Sequence, residues 1–293
     1  MAVLPYILLA LAVLSWAGNW VIGRAMRNDI GPVAMGFWRW FLALALILPF
    51  CSNELRAKWH VVRVNWWRLS MLGALGGVAM NTLVYVGLQH AETTNSALLN
   101  SVVPIYIVVI SWLFLGERIT LRQGVGIMLS VSGVIVIATR GHPLSLFNIT
   151  INIGEVWIVF AMLLWAIYTV LLRWRPRELS AIAFLAAMLL CSLPGLLPFY
   201  GWELYRRGSF EMSLPTLATL AYYASVPSVI GYLMWNRGVA QVGANRAGLI
   251  QHLLPIFTVV LAVIFLDEKL YAFHYVGTLC VFGGIALTTW NGD

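Results

Sequence analysis

Apolar runs, each close to the roughly 20 residues that carry an α-helix through the hydrocarbon of a bilayer, succeed one another along the chain with only short polar breaks. They predict ten helices, at 3–23, 32–51, 68–90, 95–115 and 121–139, and then at 154–173, 179–200, 215–236, 246–266 and 271–290. The expected fold is all-α: a polytopic membrane protein of ten transmembrane helices whose outer surface meets lipid. Trp38, Trp40, Trp59, Trp66, Trp67, Trp174, Trp202, Trp235 and Trp290 fall near the predicted helix ends, where an aromatic belt sits at headgroup level.

Composition leads the same way. Of 293 residues, 61% are apolar and only 10% are charged, against roughly 25% charged in a soluble domain. A soluble fold of this length could not hide so much apolar surface from water. Ten helices with short loops use up the chain and leave no room for a separate soluble domain. The first run lacks the basic stretch that precedes a cleaved signal sequence, so it reads as the first span.

The net charge is +7, but the basic residues are scattered through loops and form no stripe, so nucleic acid is not an expected partner. With the N-terminus inside, eleven Lys and Arg fall in cytoplasmic loops, six in the opposite loops, and Arg39 alone within a span. That bias puts both termini in the cytoplasm, for a multi-pass protein of the cell inner (plasma) membrane. Cys51, Cys191 and Cys280 have no paired spacing, so neither a disulfide framework nor a metal site is indicated.

The two halves of the chain match each other. Pro104, Phe114, Leu115, Glu117, Gly126 and Gly133 recur 151 residues later as Pro255, Phe265, Leu266, Glu268, Gly277 and Gly284, and Gly87 and Gly238 keep the same offset. Trp16, Ala17 and Arg24 recur after 149 residues as Trp165, Ala166 and Arg173. The repeats are 1–140 and 154–293, joined by 141–153. Five helices is an odd number, so the second copy enters the membrane from the opposite side. Inverted repeats are a carrier architecture, in which rocking one half exposes a midplane site to each side in turn. Duplication that merely enlarges a stable bundle is the plainer alternative.

The repeated element, proline-x-aromatic followed by Leu-x-Glu-Arg/Lys and two glycines, stands at Pro104–Gly133 and again at Pro255–Gly284. It resembles the signature of the drug/metabolite transporter superfamily, specifically its ten-helix EamA-type exporters, and the resemblance covers essentially the whole chain. The number and placement of the aromatic residues resemble the aromatic amino acid exporter branch. The resemblance implies a carrier for a small molecule, without cofactor, working as a monomer or homodimer in the bilayer.

Asn100 and Ser101 precede Pro104 by four and three residues, and Gln251 and His252 precede Pro255 by the same spacings. Proline cannot donate to the carbonyl four residues earlier, so each helix is expected to kink and to free a carbonyl where only protein or a wet cavity can accommodate it. Tyr106 lies in the same segment. A substrate centre is one reading; kinks satisfied by neighbouring Ser or Thr is the other. Trp16, Asn19 and Trp20 share one face of the first span, Trp165 and Tyr168 the matching face of the sixth. Asn81 and Tyr85 in the third span have Tyr232 and Asn236 as repeat equivalents. An aromatic cavity with a few amides suits tryptophan, phenylalanine or tyrosine, although each of these residues also fits ordinary helix packing.

Gly126, Gly133, Gly277 and Gly284 read as close-packing positions, within the fifth and tenth spans or at a dimer seam. Glu117 and Glu268 read as turn caps. No Asp or Glu is central in any span, which disfavours extrusion of cations against protons; His90 and His252 are the remaining titrating candidates. Arg39 is expected to snorkel outward or pair locally, or else to attract a carboxylate. No nucleotide loop or catalytic motif appears, so an enzyme is not expected. The expected activity is facilitated or weakly coupled export of neutral amino acids, aromatic ones and methionine, with a nucleoside, nucleotide sugar or lipophilic compound as the alternative cargo.

Overall fold

The computed structural model describes residues 3–91, 99–100, 102–116, 120–139, 141–142, 152–266 and 271–289. Among them every regular element is helical. We label them α1 (Leu4–Ala25), α2 (Pro32–Ala57), α3 (Trp66–His90), α4 (Val103–Leu115), α5 (Leu121–Ala138), α6 (Ile153–Leu171), α7 (Ala181–Arg207), α8 (Leu214–Val242), α9 (Ala244–Ile250), α10 (Leu253–Leu266) and α11 (Ala272–Thr289). Five helical stretches are long and apolar enough to cross a membrane: α2, α3, Ile153–Trp174, α7 and α8. The helices α1, α4, α5 and α11 contribute shorter apolar stretches. The expectations for Ser101, Glu117, Glu268 and Trp290 lie outside the described residues.

Local chemistry sets the helix starts. Thr120 and Gln123 form a capping box at α5, and Asn152 and Glu155 form another at α6, each satisfying two backbone N–H groups that have no helical partner. Ser180 and Ser213 cap α7 and α8. The ninth predicted span is two helices, α9 and α10, separated by a turn at Gln251–His252. Pro104 stands in the first turn of α4, where a missing N–H costs nothing. The kinks expected at Pro104 and Pro255 are thus helix starts. The carbonyl of Gln251 is not free either, because the N–H of Leu254 donates to it at 2.9 Å.

Two helices carry a π-turn, at Ala74–Val78 in α3 and at Ala224–Ile230 in α8. With the 151-residue offset these are equivalent positions. Pro227 lies inside the second and withholds an N–H from the ladder.

Equivalent helices pack against one another in antiparallel fashion. The Glu203 carboxylate, near the end of α7, accepts from the backbone N–H groups of Val33 (3.0 Å) and Ala34 (2.7 Å) at the start of α2. At the other end of α2, Glu54 accepts from the backbone N–H (2.9 Å) and hydroxyl of Ser180 at the start of α7, and pairs with Lys58 at 2.9 Å. The helices α5 and α11 meet through their glycines: a Cβ added at Gly133 would lie 2.5 Å from the carbonyl oxygen of Gly277, and one at Gly277 would lie 2.6 Å from that of Gly133. The predicted glycine contact is therefore an intramolecular one. Elsewhere α1 packs on α8, and α3 on α6, which leaves the centre of the molecule to side chains from both halves.

Candidate functional site

Arg39, in the middle of α2, is only 1% exposed. Its Nε donates to Ser228 Oγ at 2.6 Å. One terminal nitrogen is shared among Asn19 Oδ1 (3.0 Å), Asn81 Oδ1 (2.9 Å) and the Tyr85 hydroxyl (2.8 Å). Its guanidinium carbon stands 5.0 Å from the Trp40 ring centroid and 5.7 Å from that of Tyr223. Four helices thus converge on one cation. The expected snorkelling does not occur: hydrogen-bonded oxygens and aromatic faces hold the charge in the interior.

Around Arg39 the two halves present the same device with its members exchanged. The Tyr85 hydroxyl donates to Asn19 Oδ1 at 2.9 Å; in the other half the Tyr168 hydroxyl donates to Asn236 Oδ1 at 2.8 Å. Residues 19 and 168 are equivalent, and so are 85 and 236. The π-turns feed the centre with carbonyls: Trp16 Nε1 donates to Pro227 O at 2.9 Å, Asn81 Nδ2 to Gly77 O at 3.0 Å, and the Tyr232 hydroxyl to Gly76 O. A π-turn loosens the ordinary i→i−4 ladder, and such turns concentrate at functional sites.

Next to this network lies a cavity walled by Trp16, Asn19, Trp20, Met80, Asn81, Val84, Asn100, Met162, Trp165, Tyr232, Gln251 and Leu254. About 430 Å³ is not occupied by atoms, but the centre of a water-sized sphere fits into only about 40 Å³ of it, room for about three waters. Aromatic edges and faces make its wall: the Trp16 and Trp165 centroids are 5.0 Å apart in a T-shaped pair, and Tyr232 lies 5.8 and 5.6 Å from them. Two amide groups in the wall, Asn100 Nδ2 and Gln251 Nε2, are buried and make no hydrogen bond, although burying an amide N–H without a partner is costly.

Eight of the residues singled out in the sequence therefore line one cavity: Trp16, Asn19, Trp20, Asn81, Asn100, Trp165, Tyr232 and Gln251. Tyr85, Tyr168 and Asn236 stand in the hydrogen-bond network instead of the wall. His252 is fully buried and outside the lining, and Tyr106 is half-buried away from it. Trp40 and Trp235, read above as belt residues, are wholly buried at the centre, whereas Trp59, Trp66, Trp67, Trp174 and Trp202 are exposed as a belt requires. Sequence reasoning missed Met80, Val84, Met162 and Leu254. Val84, Met162 and Leu254 each lie three residues from a predicted wall residue, so that spacing would have found them; Met80, the neighbour of Asn81, it would not.

A second, polar recess lies where the α2 start meets the end of α7 and the segment before α8. It includes Asp29, Tyr200, Glu203, Arg207, Glu211 and Thr216.

Apolar spans around a hydrogen-bonded interior are those of an integral membrane protein. A sequence model of the EamA-like transporter family matches residues 3–139 and, separately, residues 152–290; the chain belongs to that family. It is 28% identical to the transporter YetK of Bacillus subtilis, over 97% of this chain and 86% of that protein. It is 26% identical to a transporter of Archaeoglobus fulgidus, over 97% and 96%. A protein of Streptantibioticus cattleyicolor described as a "Probable terminal-alkyne amino-acid exporter" is 24% identical, over 95% and 91%. A crystal structure of another protein superposes with a TM-score of 0.75, covering 97% of this chain and 96% of that one at 16% identity, a likeness of fold alone.

Proposed function

We propose that this chain exports small neutral amino acids, aromatic ones (tryptophan, phenylalanine, tyrosine) and with them methionine, across the cell inner membrane. The observation that carries the reading is the cavity wall, where the paired indoles of Trp16 and Trp165 and the Tyr232 ring meet the unpartnered amides of Asn100 and Gln251. Flat apolar cargo packs on the rings, and its polar end satisfies the amides. The amino-acid exporter among the relatives supports the same cargo class.

The architecture behind the reading is ten spans in two inverted five-helix repeats, 1–140 and 154–293, with both termini in the cytoplasm. The antiparallel packing of α2 on α7 and of α5 on α11 supports inversion, as does the doubled family match. Space for about three waters is far less than an aromatic side chain needs, so cargo enters when the halves rock apart and the aromatic wall opens. Among the described residues no carboxylate lines the cavity, in keeping with facilitated or weakly coupled export.

Counterflow in proteoliposomes tests the proposal. Internal phenylalanine, tryptophan or methionine should accelerate entry of labelled phenylalanine, and Trp16→Ala should abolish the effect. Movement of a nucleoside or a lipophilic drug with none of the three amino acids moved would overturn it.

A further inference from the structure

Among the described residues no carboxylate reaches the Arg39 guanidinium: its partners Ser228, Asn19, Asn81 and Tyr85 are all neutral. A cation held in the interior of a membrane protein without a counter-ion is costly, and polar partners offset only part of that cost. The geometry also orients the wall. Arg39 takes the side-chain oxygens of Asn19 and Asn81, and both residues line the cavity. Their amide nitrogens therefore turn away from the guanidinium, and Arg39 stands one hydrogen bond behind the wall. From other elements come the buried amide nitrogens of Asn100 and Gln251, which have no partner. Among the described residues of the wall none carries negative charge.

We infer that the cavity recognises its cargo by a carboxylate, which accepts from the unpartnered wall amides of Asn100 and Gln251 and offsets the charge of Arg39 behind Asn19, and that an ammonium group on the cargo is dispensable. The inference rests on the cavity being the cargo site and narrows its chemistry: the substrate class is aryl and alkyl carboxylates, of which amino acids are one kind. Arg39 is a positioning and charge-compensating residue. An ammonium group alone would bring a second positive charge beside Arg39 and leave the amide N–H groups of Asn100 and Gln251 without a partner.

Ligand-induced shifts of the unfolding midpoint of the purified full-length protein read binding without transport. The probes are phenylalanine, 3-phenylpropanoate, which lacks the ammonium, and 2-phenylethylamine, which lacks the carboxylate. Phenylalanine and 3-phenylpropanoate should bind within about tenfold of each other, and 2-phenylethylamine at least about tenfold more weakly than either, the usual size of a charge-assisted hydrogen bond. In Arg39→Gln, 3-phenylpropanoate should lose its advantage over 2-phenylethylamine, and Arg39→Lys should restore it in part. If Arg39→Gln does not fold, the three probes on the unaltered protein still decide the matter. Equal binding of 2-phenylethylamine and 3-phenylpropanoate, or binding of neither, overturns the inference. Selective binding of 3-phenylpropanoate in a protein that moves no amino acid would uphold it and overturn the exporter reading alone.

Discussion

Asn81 and Tyr232 stand at equivalent positions of the two halves, 151 residues apart, and they touch: Asn81 Nδ2 donates to the Tyr232 hydroxyl at 3.1 Å. This bond therefore marks a place where the two halves meet directly. Trp16 and Trp165, 5.0 Å apart, mark it a second time. Both pairs border the cavity.

The bond should therefore be energetically coupled as well as close. Tyr232→Phe removes both the hydroxyl that Asn81 uses and the donor to Gly76 O, and should cost about 1–3 kcal/mol of stability. In a cycle with Asn81→Ala, measured by thermal unfolding in detergent, the coupling should exceed ~0.5 kcal/mol. Strict additivity would mean that the contact does not hold the halves together.

The seam between α5 and α11 predicts a contrast between two glycines one face apart. Gly133→Val would drive a side chain into the Gly277 backbone and should destabilise by about 1–3 kcal/mol, as overpacking does. Gly124, in α5 with nothing within 4 Å of an added Cβ, should tolerate alanine and gain about 0.5–1 kcal/mol from helix propensity. Unfolding midpoints that move in the same direction for both would contradict the packing described.

Glu203 predicts a capping effect across elements. Glu203→Ala strips the acceptors from the Val33 and Ala34 N–H groups at the α2 start, and should cost about 0.5–2 kcal/mol. Glu203→Gln keeps an acceptor but loses the charge that favours a helix N-terminus, and should cost less, about 0.3–1 kcal/mol. A larger loss for Gln than for Ala would exclude the capping role.

Topology is open to direct measurement. In a background lacking Cys51, Cys191 and Cys280, single cysteines near Glu117 and Glu268 should label from opposite sides of the membrane. Labelling from one side would end the inverted-repeat proposal and with it the rocking of two halves about a central ligand.

Much of this was readable from residues alone, because lipid imposes a long apolar run wherever a helix crosses it, and duplication leaves fixed offsets. Those offsets brought Trp16 with Trp165 and Asn81 with Tyr232 before any coordinate did. The fate of Arg39 was not readable. Whether a cation two turns into a helix reaches outward or inward depends on which oxygens neighbouring helices offer, and these come from α1, α3 and α8. Trp40 and Trp235 misled for a related reason. Distance from the end of an apolar run says nothing of which side of the helix faces a neighbour, and here both indoles turn inward. The π-turns leave little mark on hydropathy, since their residues are nearly as apolar as those around them, and the polar pair Gln251–His252 reads equally as a binding centre within one helix or as the turn between two that it is.

The two π-turns have a further consequence for how this interior tolerates change in length. Each stores one residue more than an α-helical turn would hold. Excising a single residue from Ala74–Val78 would let that turn close into regular α-helix with the helix beyond it nearly in phase. Excising Ala79 from the α-helical stretch that follows would instead swing everything beyond it by about 100° and draw it in by about 1.5 Å. Only the second deletion would turn Asn81 and Tyr85 toward other neighbours and part the bonds to Asn19, Arg39 and Tyr232 together. One residue of slack in each half is thus a place where the chain can shorten without re-aiming the machinery at the middle.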